Sequence, residues 1–573
     1  MISTAPARVT RRHLLGGIAV GAMTAILAAC GDSVAPTAIT MPAPTSQLTP
    51  PAPAPAATAT AAIAPAATIA PTAGIATAAS TPMTSMMVPA TIPTAMTAKG
   101  ELKLAVGNDF PTKLDALKFA NVSLYGMSEM LNRLAPTGKI EPWLAESVVN
   151  VNPTTWRVTL RQNVKFWDGS PLTADDVIAA FRKNWEAYPN ASGLISKETK
   201  LTAVDAHTVE FVTPQPTGIF PGALTQPLFA IHKPTMPGGA DGSIFTGPYH
   251  PTSFMVDNQL VLEPFRDYWA GVPPIARITV RNVADANSRA LALQSGDVNA
   301  LYGLPPEAIK TFGSDIEAVA IPSGRVHFLT FNVNRPPFSD RAVREATALA
   351  LDRAALNTVT LDGKGAAATG MFPQNLGFDV VPLQGTDVNR AKQLLDDAGW
   401  KAGPDGVRVK DGKRLSFTIL TYPGRAEITQ LGVAASGQLK PLGYDIPKVQ
   451  EVMGIEGVTK MGDWDLAVYS SDMFGTGDPL YGFNRVLAKG GGNNLANYTN
   501  PQIETLLDQL RVTIDPKERQ AISRQVQEVV KADVPMAFLV SPPVVTAFTK
   551  GLVKGYTPNP SDQFFLTAAM TVS

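Results

Sequence analysis

The chain has 573 residues and carries 48 Lys+Arg against 48 Asp+Glu, a formal net charge of zero. Such a balance offers no bulk attraction to nucleic acid or to an anionic membrane surface. Its single cysteine, Cys30, excludes intrachain disulfides and thiolate metal clusters, and the length accommodates about two or three domains.

Residues 10–30 read TRRHLLGGIAVGAMTAILAAC. Arg11 and Arg12 precede an apolar run that ends in small residues and Cys30, the layout of a secretory signal. The run is shorter than the ~20 residues that span a bilayer, so an uncleaved anchor is the poorer reading. Leu27-Ala28-Ala29-Cys30 resembles the lipobox of bacterial lipoproteins. That resemblance implies export, processing at Cys30, and lipid on Cys30 that anchors the protein to the outer face of the cell membrane. Residues 10–15 also resemble a twin-arginine export motif. Residues 31–98 are dominated by Ala, Pro and Thr. Proline removes backbone donors, and small side chains cannot bury enough surface to offset ordering entropy. A disordered, semi-extended linker is expected there.

The composition changes at Lys99. Residues 101–106 alternate like a first strand, and 156–161 like a half-buried one. Asp168-Gly169-Ser170-Pro171 supplies a turn, and Thr173 to Asp176 a capping box before an apolar helix. Asp175 and Asp176 therefore read as helix caps rather than as an acid–base pair. A tight turn at 245–249 and a short strand at 278–280 follow, then a helix at 288–293 ending near Gly296. VHFLTFNV, 326–333, suits a central strand buried on both faces. A capped helix is expected over 339–353. Apolar stripes mark further helices around Ala391 and Leu395, Ile503 and Leu507, and Val526 and Val530. Strands alternate with helices in this half, which predicts α/β layers.

Catalytic signatures such as G-x-S-x-G, G-x-x-x-x-G-K-[ST] and H-E-x-x-H are missing, and His207, His232, His250 and His327 show no metal-pair spacing. A non-enzymatic protein without a cofactor is expected. His327 reads as a core histidine, and Gly490-Gly491-Gly492 as a loop. The most distinctive loop is expected from Tyr469 to Pro479, after the apolar strand 466–468. Asp472 beside aromatics at a strand end is either a binding position for a cationic ligand group or an Asp-Pro turn held by local Asx bonds.

Several stretches, in order, resemble family 5 solute-binding proteins of ABC importers, the group with oligopeptide-, dipeptide- and nickel-binding members. They are LAES at 144–147 with TWRVTLRQNVKFWDGSPLTADDV, FTGPY at 245–249, RDYWAG at 266–271 and ALQSGDVNALYG at 292–303. FNVNRPPFSDRAVREATALALDR, AKQLLDDAGW, NYTNPQIETLL and VPMAF continue the series to 538. The resemblance implies an α/β, two-lobed, type II periplasmic-binding-protein-like fold of the large class. Its first lobe would span 100–325 with an extra subdomain, its second 326–542, and residues 543–573 would return to the first. It further implies a monomer that captures a short peptide or small polar solute and delivers it to a permease with its ATPase.

By the same resemblance, Asp472 would pair with a peptide's amino terminus. Phe474 stands where nickel-binding relatives carry Trp, and Gln226 where they carry an Arg that holds a chelator's carboxylates. No histidine occurs at 485–498. These departures weigh against a nickel or other metal-chelate receptor, the main alternative; a non-transport adhesin or scaffold is another. Tyr469 falls in the same ligand-loop segment. Tyr125 aligns with a pocket-lining position and equally suits a core aromatic.

Overall fold

The computed structural model describes residues 98–573, apart from 108–109, 234–241, 377–379, 383–384 and 562. The expected signal peptide, Cys30 and all but the last residue of the linker lie outside the described residues.

Among the described residues, seven strands form a first sheet. Its spatial order is Ile316–Pro322, Pro543–Thr549, Ala300–Tyr302, Lys99–Val106, Ile275–Asn282, Gln259–Pro264 and Tyr249–Met255. Lys99–Val106 lies inside it, parallel to both neighbours. Leu102, Leu104 and Val106 enter one apolar cluster and Ala105 another, so the strand is covered on both faces. A separate antiparallel sheet of Ala145–Asn152, Thr155–Leu160, Thr208–Val212 and Lys200–Asp205 packs under the helix Ala174–Ala187. Thr173 and Asp176 form the reciprocal cap of that helix: Thr173 N donates to Asp176 Oδ2 at 2.9 Å and Asp176 N to Thr173 Oγ1 at 3.4 Å.

A second sheet orders Ala366–Ala367, Met536–Ser541, Arg325–Phe331, Leu466–Asp472, Ile419–Thr421 and Val449–Glu451. Arg325–Phe331 is antiparallel to both of its neighbours. Val326 and Phe328 face one cluster, Leu329 and Phe331 the other. Two-sided burial is why VHFLTFNV is continuously apolar rather than alternating. The helices Val388–Asp397, Pro501–Val512 and Pro516–Asp533 flank this sheet and bury their stripes in the same clusters.

Two chain crossings join the sheets. Ile316–Pro322 passes through Ser323 and Gly324 into Arg325–Phe331, and Met536–Ser541 passes through Pro542 into Pro543–Thr549. The crossings are bonded to each other, since Ser323 N and Oγ both donate to Pro542 O at 2.9 and 2.7 Å. The result is a two-lobed α/β fold with an antiparallel ribbon between the lobes.

Two local expectations change. The stretch 339–353 is not one helix: Arg341–Leu349 ends, and Arg353–Leu361 begins on an Asp352 cap that accepts from Ala355 N. The buried Arg353 guanidinium then takes Ala348, Leu351 and Phe538 carbonyls as acceptors, which anchors the break. The segment from Tyr469 also does not begin as a loop. Residues 469–472 complete the strand, because Arg325–Phe331 pairs with it through Asp472.

Candidate functional site

Strand direction decides where the lobes meet. In the first sheet Ile316–Pro322 runs the same way as Lys99–Val106, Ile275–Asn282 and Ala300–Tyr302. In the second, Ile419–Thr421, Val449–Glu451 and Leu466–Asp472 are parallel and end at the edge where Arg325–Phe331 starts. The short crossing at 323–324 therefore turns the carboxyl edges of both sheets toward one cleft. Ligands bind at such edges in open α/β sheets.

The second-lobe edge is polar. Arg325 stands opposite Asp472 in register, and His327 opposite Ser470. Arg325 Nη1 is 3.5 Å from Ser470 Oγ. The turn after Ile419–Thr421 adds Tyr422 and Arg425, and the helix Ala426–Leu439 opens with Glu427 in its first turn. Glu427 Oε1 lies 3.4 Å from His327 Nε2 and 3.8 Å from Arg425 Nη1. Burial works against the Glu427 charge, but His327, the backbone amide and Arg425 outweigh it and hold the carboxyl at about 2. His327 is fully buried; desolvation pushes its imidazole down, Glu427 opposes, and Arg425 and Arg325 push it further. Guanidinium groups and carboxylates in one polar wall can hold a ligand that carries both signs of charge.

Asp472 ends its strand and accepts from Phe474 N through Oδ1 at 3.0 Å, an Asx bond. A Cβ placed on Gly475 would lie 2.7 Å from Asp472 Oδ2 and 2.8 Å from the Tyr481 ring, so the second oxygen faces that side. Tyr469 is buried with its ring near Phe328 and Tyr422, and its hydroxyl donates to Glu456 Oε1 at 2.7 Å. Burial, reinforced by that carboxylate, pushes the phenol up. Phe474 is 1% exposed, inside an apolar cluster of Leu134 and Leu376 with Ile140 and Phe564 against it. Gln226 is 4% exposed and donates through Nε2 to Gly475 O. Asp472, Phe474 and Gln226 thus converge on residues 472–475. Tyr469 lies one strand face away from Asp472, and Tyr125 is fully buried in the first-lobe core.

The model for bacterial extracellular solute-binding proteins, family 5 Middle, matches residues 139–494. The chain belongs to family 5 of these proteins. It is 30% identical over 436 residues to protein XP55 of Streptomyces lividans, covering 70% of this chain and 76% of that one. The glutathione-binding protein GsiB of Salmonella typhimurium is 28% identical over 435 residues, with 72% and 83% covered. A crystal structure of the nickel ABC transporter from Bacillus halodurans superposes with a TM-score of 0.72 at 27% identity, covering 83% of this chain and all (100%) of that one.

No sequence motif marks Arg325, Tyr422, Arg425 or Glu427. Their signals were local. TYPGRAE separates a short apolar strand from a helix, and Arg325 immediately precedes VHFLTFNV. The carboxyl-edge rule would have selected both places once the strands were assigned.

Proposed function

We propose that this family 5 protein is the solute-capturing component of an ABC importer, taking a short peptide or similar small polar solute into the cleft and passing it to a membrane permease. The mixed-charge wall of the second lobe carries this reading: Arg325 stands opposite Asp472 in register and Arg425 lies 3.8 Å from Glu427, so a solute bearing an amine and a carboxylate would exchange into groups of both signs. A solute that contacts both lobes stabilises the closed form by its differential affinity for it. Lipid on Cys30 and the long Ala/Pro/Thr segment would keep the receptor near its permease, raising its effective concentration there. Native mass spectrometry of the full chain with a peptide library, followed by calorimetry, tests capture. Failure to bind or co-purify any small solute overturns the reading. Asp472→Asn is expected to weaken amine-bearing ligands by about tenfold or more, the worth of a charge-assisted bond, and unchanged affinity removes Asp472 from the site. Cys30→Ser is expected to abolish partition into detergent.

A second reading, a chelated nickel ion, is favoured by the likeness to the Bacillus halodurans protein. Among the described residues no group of His, Cys, Asp and Glu could hold a metal by itself, so the ion would arrive with its own ligands. Calorimetry with nickel chloride, with and without excess citrate or histidine, decides between the two.

A further inference from the structure

The lobes also touch through their own chain outside the two crossings. Ile219 follows the subdomain strands, yet it is buried in the second-lobe cluster that holds Leu480, Phe483 and Leu510. Ile514, between the helices Pro501–Val512 and Pro516–Asp533, packs in return against the subdomain cluster that holds Phe220 and Ala223. Between these exchanged side chains the backbones meet: Gly218 N donates to Arg511 O at 2.8 Å. A Cβ on Gly218 would overlap Thr513 O and the Arg519 guanidinium, and one on Gly222 would sit 2.5 Å from Thr476 O.

The segment 473–478 continues the contact. Met473 N donates to Gly324 O in the crossing at 3.1 Å, and Gln226 Nε2 donates to Gly475 O. Phe474 is wedged between the lobes. Its Cζ would be 2.8 Å from a Cβ on Gly138, in the first-lobe turn between Asn132–Leu134 and Ile140–Pro142. Its own Cβ would be 2.6 Å from one on Gly324. Gly477 is likewise pressed against Leu134 and Ile140.

We propose that these contacts are a built-in clasp: Ile219, Gln226 and Phe474 are positioning residues that hold the lobes closed before solute arrives. The apolar burial of Ile219 and Phe474 and the bond to the Gly475 carbonyl each join residues of the two lobes, so separating the lobes at these points would break them. Solute then competes for a receptor whose open form is a minor population. The open form admits solute, so entry and release wait on the clasp, while solute spends none of its binding free energy on closing the lobes.

The test needs no solute. Val256 and Met453 are 59% and 79% exposed. They sit beside the sheet strands farthest from the crossings, so their separation reports closure. In the full chain carrying Cys30→Ser, Val256→Cys and Met453→Cys accept a donor and an acceptor dye, and solute is stripped by unfolding and refolding. Single-molecule energy transfer is expected to show a dominant short-distance population. Ile219→Ala is expected to lower the closed-to-open ratio by about tenfold or more, as emptying a buried isoleucine site would. Gly218→Ala, which removes no core side chain, should open the lobes by backbone clash alone. Gln226→Met should give a smaller shift and Phe474→Leu the smallest. A mostly open parent protein, or Ile219→Ala and Gly218→Ala variants with the parent distribution, overturns the clasp. Either result leaves peptide capture to its own calorimetric test.

Discussion

Asp478 caps the helix Pro479–Val486 through Leu480 N and meets Arg519 at 2.6 Å, with both side chains nearly out of water. Removing one member of such a pair leaves an uncompensated buried charge. Asp478→Ala is expected to cost about 3–5 kcal/mol in urea unfolding, and adding Arg519→Met should return much of it. Glu129 poses the opposite problem. Its carboxyl accepts from Thr246 Oγ1, the Tyr268 hydroxyl and Trp269 Nε1 at 2.7, 2.8 and 3.1 Å, so the FTGPY and RDYWAG stretches converge on one acid. Burial raises it from 4.5 to about 7, and the donors pull back only part of the way. A carboxyl raised in the folded state contributes stability that is full below its unfolded value and is lost as pH rises through the folded one. The thermal midpoint is therefore expected to fall between about pH 5 and pH 8 through this residue, and Glu129→Gln to flatten that slope.

At the scale of elements, cap chemistry explains what starts and stops. The helix Ala174–Ala187 begins where Thr173 and Asp176 satisfy each other's backbone donors. Thr173→Ala is expected to destabilise by about 1 kcal/mol in chemical denaturation, with the loss confined to amide protection in the first turn. The strand Leu466–Asp472 shows the limit of such local reasoning. Tyr-Ser-Ser-Asp has turn composition, but pairing with Arg325–Phe331 satisfies its backbone as far as Asp472. Cross-strand bonding won over composition because the partner strand is central and buried.

At the scale of the molecule, the ribbon between the lobes is the mechanical element. Ser323 Oγ ties one crossing to the other through Pro542 O at 2.7 Å. Ser323→Ala is expected to cost only about 1 kcal/mol of stability yet to raise hydrogen exchange selectively at the crossings, because the lost bond ties the two strands that pass between the lobes. Unchanged exchange there would show that this bond does not hold the crossings together. The polar wall and the ribbon lie at the carboxyl edges of the two large sheets, and Met473 and Phe474 connect them to the clasp. Asp472 of the wall and Phe474 of the clasp are thus only two residues apart, joined by the Asx bond from Phe474 N to Asp472 Oδ1.

Much of this architecture was legible without coordinates. The first strand, the Thr173 cap, the two-faced strand at 326–333 and the amphipathic helices each leave a periodic or capping trace within a dozen or so residues, because burial of one face repeats with the backbone. The ordered family motifs carried the lobed fold. The site was less legible. Asp472 draws notice because an acid stands out at a strand end, but the contacts of Phe474 and Gln226 depend on partners elsewhere in the chain. Gln226 and Gly475 are 249 residues apart, and Ile219 finds its cluster in the other lobe. Contacts at that separation impose no period on either segment, so only tertiary structure could decide that they are made between lobes.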